Sequence, residues 1–353
     1  EFEEPLLAVV DALRAGVDPV AALGDTGLGD TGKVVSMGRQ KFRVPDRRGL
    51  PLLSGYAFLT LPDGSRRTVG YTEATRGCKH LCRHCPVVPV YGGRFRVVQR
   101  DVVLDDIANQ VDQGAEHITF GDPDFFNGPA HALALVESLH ERLPQLTYDV
   151  TIKIEHLVKH RDRLPVLQET GCVLVTSAVE SVDERILDFF DKRHTREEFI
   201  AVVEAFRQVG LHLNPTFVAF TPWTSLDGYL EFLSEIYRLG LVDSVAPVQY
   251  AIRLLIPQGS KLLELAHVRD LVQPFDHEAL VYPWSHPDPR VDELGCDVFR
   301  LVQGCLTEGR SRAAIFGEIW RLAAERCGRP ERVGEIVVPD KPNAVPQLSE
   351  PWY

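Results

Sequence analysis

The sequence predicts an α/β fold built on a parallel sheet, and two observations predict it. Strand-like apolar runs alternate with amphipathic helical stretches from Thr72 to about residue 256, and the connections between them are short. Such alternation makes neighbouring strands run parallel through right-handed crossovers, in either a barrel or a doubly wound sheet. In both arrangements the chemistry gathers at the carboxyl ends of the strands.

The first unit, residues 1–69, reads as an accessory segment. Pro5 to Arg14 places Leu6, Val9, Val10 and Leu13 at helical spacing, and Gly16 follows as a stop. Gly-Asp-Thr-Gly occurs twice between Gly24 and Gly32; with no Gly-Lys-Ser/Thr ending, it reads as a connector rather than a phosphate loop. Val34 to Val44 alternates as a strand does. Tyr56 to Leu61 and Arg67 to Thr72 flank Pro62-Asp63-Gly64-Ser65 and read as a β-hairpin.

The second unit, residues 70–260, carries the alternation. Its strands are the segment entering the cysteine loop, then 117–120, 146–155, 172–179, 211–220 and 244–256. Its helices are 103–114, 130–143, 157–170, 183–190, 195–209 and 225–239. Beyond Lys261 the rhythm stops. Residues 262–272, 293–302 and 312–327 read as helices of a C-terminal cap over 261–332, and 333–353 reads as an extended, proline-rich tail.

Composition narrows the function. Lys+Arg 38 against Asp+Glu 50 gives a net charge of −12, which disfavours a nucleic-acid partner. A hydrophobic fraction of 44% with 25% charged residues excludes disorder for the bulk of the chain. No apolar run approaches the roughly 18 residues that span a membrane. With no signal peptide in view, a cytoplasmic location is expected. The chain opens at Glu1 rather than Met and stops at Tyr353, so both ends are read as open.

Seven cysteines stand at 78, 82, 85, 172, 296, 305 and 327, an odd number that argues against a disulfide framework. Three crowd into Gly77-Cys78-Lys79-His80-Leu81-Cys82-Arg83-His84-Cys85-Pro86. Thiolates spaced by three and then two residues can converge on one metal centre and leave a fourth position free. A structural zinc site needs four ligands, and no second pair follows; an iron-sulfur cube held by three cysteines exposes one iron. Zinc and a chance cluster of structural cysteines remain as alternatives. Cys296, Cys305 and Cys327 lack compact ligand spacing and read as buried thiols on helices.

The spacing Cys78-x3-Cys82-x2-Cys85, after the first strand of an alternating β/α chain, resembles the radical S-adenosylmethionine (SAM) superfamily. The resemblance covers residues of about 70 to 260 and implies a partial (β/α)6 TIM-like barrel. It further implies a 4Fe-4S cluster on Cys78, Cys82 and Cys85, with SAM chelated at the open iron. A small-molecule substrate and a single-electron reductant such as flavodoxin or ferredoxin go with it.

The resemblance also implies the remaining site residues. His84 stands where the family has an aromatic residue beside the adenine. Gly121-Asp122-Pro123-Asp124 takes the place of the Gly-Gly-Glu stretch that receives the methionine amino group, which points to Gly121, Asp122 and Asp124. Lys153 and Glu155 end the third strand on one face by its period of two, at the barrel mouth or in its interior. Glu180-Ser181 through Asp191-Lys192-Arg193-His194-Thr195 resembles the family's Glu-Ser-Gly-Ser…Asn-Lys-Gly-His-Thr run, so Glu180 faces the cofactor and Lys192 pairs with the methionine carboxylate. Thr216 occupies the ribose-touching place on the fifth strand. No Asp-x-His-x-x-Gly cobalamin signature is present.

Residues 75–91 and the ending Glu350-Pro351-Trp352-Tyr353 resemble a narrower bacterial group with a cysteine- or selenocysteine-bearing C-terminal tail. The radical enzyme of arsinothricin biosynthesis is similar to this group. That likeness implies transfer of a 3-amino-3-carboxypropyl group to a soft substrate such as arsenite. Hydrogen abstraction by a 5′-deoxyadenosyl radical from a small organic substrate is the alternative, and a non-catalytic zinc or iron-sulfur module is the alternative of another class.

Overall fold

The computed structural model describes residues 3–19, 21, 41–338 and 345–350. The Gly-Asp-Thr-Gly pair and most of 34–44 lie outside them. The first helix, Glu3–Ala15, ends at Gly16, whose φ of +68° suits a residue without a Cβ. The expected hairpin forms from β1 (Ala57–Thr60) and β2 (Arg66–Thr72), paired antiparallel with Thr60 opposite Arg66. Its turn closes because Asp63 Oδ1 accepts both the N–H and the hydroxyl of Ser65, and Gly64 adopts φ +83°.

β2 also begins the parallel sheet. After a two-stranded ribbon of β3 (Thr75–Gly77) and β4 (Phe95–Val97) come β5 (His117–Phe120), β6 (Thr147–Thr151), β7 (Cys172–Glu180) and β8 (His212–Phe217). The seven-stranded sheet runs β8-β7-β6-β5-β2-β1-β9, where β9 (Gln347–Leu348) pairs antiparallel with β1. The parallel strands lie in chain order with no reversal, so the sheet is singly wound and curls as a half-barrel rather than a doubly wound sheet.

The expected sixth strand is reduced to a bridge between Phe220 and Arg253. Pro247 opens a 3-10 turn, Pro247–Tyr250, since its nitrogen cannot donate to a ladder. The side chain of Gln249 substitutes for a strand there, accepting the Phe217 N–H at 2.9 Å. The helix expected over 157–170 divides into Ile154–Lys159 and Leu164–Glu169, because Pro165 fits only the first turn of a helix. Residues 262–272 form only Lys261–Glu264 and Ala266–Arg269, broken at the extended Leu265. The cap helices are Pro289–Thr307 and Arg312–Arg326. Cys305 is buried as expected, whereas Cys296 is exposed on the outer side of its helix.

The period of two sorts each strand. Ile118, Phe120, Tyr148, Val150 and Val175 point into the core beneath the helices. Tyr71, Thr119 and Asp149 share the opposite, inner face in register, as do Thr151, Thr176 and Asn214. The floor of this interior is a small apolar cluster of Leu59, Val69, Leu174 and Leu348, so the C-terminal segment crosses the base of the half-barrel. No helix among the described residues is long and apolar enough to cross a membrane.

Leu348 is 5% exposed. Leu348→Ala is expected to cost about 2–5 kcal/mol in equilibrium denaturation, since the floor cannot collapse around the void. A loss well under 1 kcal/mol would show that the strap adds nothing to the barrel.

Candidate active site

The cysteine loop sits over the carboxyl ends of the strands and is pinned from several sides. Gly77 has φ +84°, and a Cβ there would lie 2.5 Å from the Tyr91 ring and 2.6 Å from the Arg94 carbonyl, so only glycine turns the chain into Cys78. Asn127, buried after β5, donates to the Gly77 carbonyl at 3.0 Å and accepts the Lys79 N–H at 3.1 Å, gripping the residues on both sides of Cys78. The Arg83 N–H donates to Phe190 O, and Arg83 O accepts from the Leu262 N–H and the Ser260 hydroxyl. Sequence reasoning missed Asn127, because nothing in a local motif marks a clamp 50 residues away.

All three loop cysteines are free, Cys82 buried and the others half-buried. Burial pushes the Cys78 thiol up to about 12, with Asp124 and the other two thiols adding to it. Cys85 is raised for the same first reason, with Cys82 and Glu180 adding to it. A cation that binds sulfur tightly displaces the protons that this burial favours on Cys78 and Cys85.

Two charged groups flank the cysteines. In the first, the Lys153 ammonium donates to Glu155 at 2.8 Å and approaches His80 Nδ1 at 3.4 Å. His80 Nε2 lies 3.3 Å from Asp124, which also meets His156 Nδ1 at 2.7 Å and accepts the Phe126 N–H at 3.2 Å. Burial works against the Asp124 charge, yet the two imidazoles hold its carboxyl at about 2. His80 and His156, with ring centroids 4.7 Å apart, also escaped the sequence reading.

The second group joins His84, Glu180 and Lys192. Glu180 Oε1 lies 2.9 Å from His84 Nε2 and 3.3 Å from the Lys192 ammonium. Burial opposes the Glu180 charge, but Lys192 and His84 bring its carboxyl down to about 2. The His84 ring stacks on Phe190 at 4.2 Å. The backbone is strained here: Glu180 has φ +72°, at a register shift of β7, and Asp191 and Arg193 on either side of Lys192 have φ +52° and +57°. Each such non-glycine residue costs about 1–2 kcal/mol. That strain turns Lys192 inward, where it is buried. His194 is buried, and neither ring nitrogen has a well-formed hydrogen bond among the described residues; burial, then Lys192 and Lys153, lowers it to about 3.

The other expected residues are placed differently. Both Asp122 oxygens are taken, by the Ala74 N–H at 2.9 Å and by the Thr75 N–H and hydroxyl at 2.5 and 2.6 Å. Burial pushes this carboxyl up to about 7 against those three donors. Asp122 therefore shapes the link between β2 and the cysteine ribbon rather than turning toward the sulfurs. Gly121 lies under Tyr71, whose hydroxyl would be 1.8 Å from a Cβ at that position. Thr216 is half-buried on β8 opposite Ala178.

Glu180→Ala leaves Lys192 buried without its partner and is expected to cost about 3–5 kcal/mol at neutral pH. Because the folded Glu180 carboxyl stands at about 2, below its ordinary 4.5, this contribution is complete above 4.5 and fades as pH falls toward 2. Denaturation of both proteins between about pH 3 and about pH 7 measures the gap; a gap independent of pH would place the carboxyl outside the ion pair.

The β/α region is similar to known proteins. Residues 72–224 match the family model described as the radical SAM superfamily. An uncharacterized methyltransferase of Pyrococcus horikoshii is 23% identical over 204 residues, 58% of this chain and 43% of that protein. The radical SAM methyltransferase TsrM of Kitasatospora setae, solved with cobalamin and a 4Fe-4S cluster, gives a TM-score of 0.56 at 18% identity over 77% of this chain and 54% of its own. The cobalamin-dependent SAM radical enzyme OxsB, solved with aqua-cobalamin and SAM, gives 0.55 at 14% identity over 67% of this chain and 41% of its own. The chain thus spans about half or less of the length of these relatives, and the two structural likenesses speak for the fold. Over residues 72–224, less than half of its length, the chain is similar to the radical SAM superfamily of enzymes.

Proposed function

We propose that this chain is a radical SAM enzyme that cleaves SAM reductively and abstracts hydrogen from a small organic substrate. The observation that carries the reading is a set of three disulfide-free thiols, near enough to act on one another electrostatically, on a loop clamped over the strand ends. Their donor set suits a 4Fe-4S cluster: three soft sulfurs from one loop, with the fourth position left to the amino and carboxylate groups of SAM. When bound, the cluster supplies one electron, drawn from an external donor of the flavodoxin or ferredoxin kind, to the cofactor's sulfonium.

The chain's residues take the remaining tasks. Lys192, held by Glu180, faces the methionine carboxylate, and the Lys153–Glu155 pair stands at the same mouth. His84 and Phe190 offer a flat stack for the adenine. Thr216 reaches the ribose from β8, Gly121 keeps its strand end narrow, and Asp124 with its two histidines faces the methionine ammonium. Asp122 is a positioning residue that fixes the entry to the loop.

Hydrogen abstraction is preferred over aminocarboxypropyl transfer to arsenite because the latter has only the narrower, tail-bearing likeness behind it, and the described cysteines outside the loop stand elsewhere. Cys172 opens β7 at its far end, and Cys296, Cys305 and Cys327 belong to the cap. The narrower likeness to the tail-bearing group rests on residues 75–91 and 350–353 alone. Methyl transfer, the activity named for relatives, is the remaining possibility for this domain. A zinc module is a second reading, favoured by one observation: Cys78, His80 and Asp124 bring a sulfur, a nitrogen and an oxygen within 4.8 Å of one another, a mixed set that zinc accepts.

Anaerobic reconstitution separates these. About four irons per chain and a brown chromophore are expected, lost in Cys82→Ala; tightly retained zinc in their place overturns the reading. Turnover with a reductant then identifies the reaction from the cofactor fragment released. 5′-Deoxyadenosine is expected, whereas 5′-methylthioadenosine signals aminocarboxypropyl transfer and S-adenosylhomocysteine signals methyl transfer.

A further inference from the structure

A cleft of about 250 Å³ lies against the open edge of the half-barrel. It exists because β1 reaches only Val69 in its pairing with β2, which leaves Gly70 and Tyr71 without a strand on that side. Residues 50–56 stand off this edge, and the segment 345–350 brings Glu350 to the inner side. The walls are largely apolar, with Leu50, Pro51, Leu53, Val69 and the Tyr71 ring. A concave, largely apolar lining with a few polar groups suits a small organic molecule.

The polar groups of the cleft have an uneven charge. Arg47 is the cation of its wall, but its guanidinium is held by both Asp106 oxygens at 2.7 and 2.8 Å and by the Tyr71 carbonyl. The Thr119 hydroxyl donates to Asp149 at 2.6 Å, and Asp149 also contacts His117 Nε2 at 2.9 Å. Glu350 has no hydrogen bond or ion pair among the described residues. Burial, and then the nearby Asp149, raise its carboxyl. A carboxylate partly withdrawn from water beside a second one lacks a counter-ion, and a bound cation supplies it. Tyr71 connects the cleft to the strand ends, since its ring lines the cleft while its hydroxyl rests over Gly121.

We infer that this cleft is the substrate pocket and that it takes a small molecule with an apolar body and a protonated amine, the amine placed at Glu350. The assignment as substrate pocket rests on the radical SAM reading; the binding preference does not. Tryptamine and tryptophol, which share an indole and differ in carrying an ammonium or a hydroxyl, serve as probes. Titrated calorimetrically into the anaerobic, SAM-loaded holoenzyme, tryptamine is expected to bind about tenfold tighter or more, the worth of one charge-assisted contact.

Glu350→Gln is expected to bring the two within about threefold, and the exposed Glu308→Gln to leave the ratio unchanged. Leu50→Arg, at a position 57% exposed and so tolerant of a polar head, is expected to weaken tryptamine about tenfold by placing a cation in the cleft. Equal affinity for the two probes, or a preference that survives Glu350→Gln, overturns the inference. Repeating the titration on cluster-free protein keeps the two failures apart. Failure of the chain to take up a cluster on reconstitution, with the preference intact, sinks the radical reading alone, and a clustered protein without the preference sinks the pocket alone.

Discussion

The site depends on a clamp: one buried amide, Asn127, holds the backbone on both sides of Cys78. A loop carrying three thiols has no structure of its own to hold them in place. It needs backbone partners that neither reduction nor metal loss removes. Asn127 supplies two, Phe190 and the segment 260–262 supply others, and Gly77 admits the turn that delivers the loop. Each partner follows a different strand or the cap, so the half-barrel must be complete before the loop is held.

Charge at the mouth follows the same logic. Lys153 and Lys192 are buried, which is unfavourable unless each meets an acid. Glu155 and Glu180 meet them, His80 and His84 join the respective acids, and positive-φ residues at 180, 191 and 193 hold the second group in place. His194, with no well-formed hydrogen bond at either ring nitrogen among the described residues, feels the charge of both lysines. Local strain and an unsatisfied polar ring are tolerated only where surrounding packing overrules them, and here the packing is the apolar layer beneath the helices. The structure concentrates its costs at the strand ends and its stabilising burial on the opposite face of the same strands.

Much of this was legible along the chain. The hairpin around Gly64, the parallel alternation and the loop of three cysteines are local signals, carried by turn chemistry, periodicity and spacing. Where local signals conflicted, proline decided: Pro165 divided one expected helix and Pro247 removed most of one expected strand. The grouping of His84, Glu180 and Lys192 was readable through a family likeness, but the engagement of Asp122 with residues 74 and 75 was not, because a carboxylate after a strand looks the same whichever way it turns.

By itself the sequence determined the class of fold, the position of the thiols and the net charge, since each is a property of neighbouring residues or of totals. Tertiary structure alone decided between a curled and a doubly wound sheet, through strand order. It alone brought Asn127, His80, His156 and Asp124 to the cysteines, and laid Leu348 and Glu350 under and beside a sheet that begins near residue 57. These contacts join residues separated by tens to hundreds of positions, and no local pattern encodes them. They arise when burying one face of every strand leaves the other face, and whatever crosses it, a single place to go.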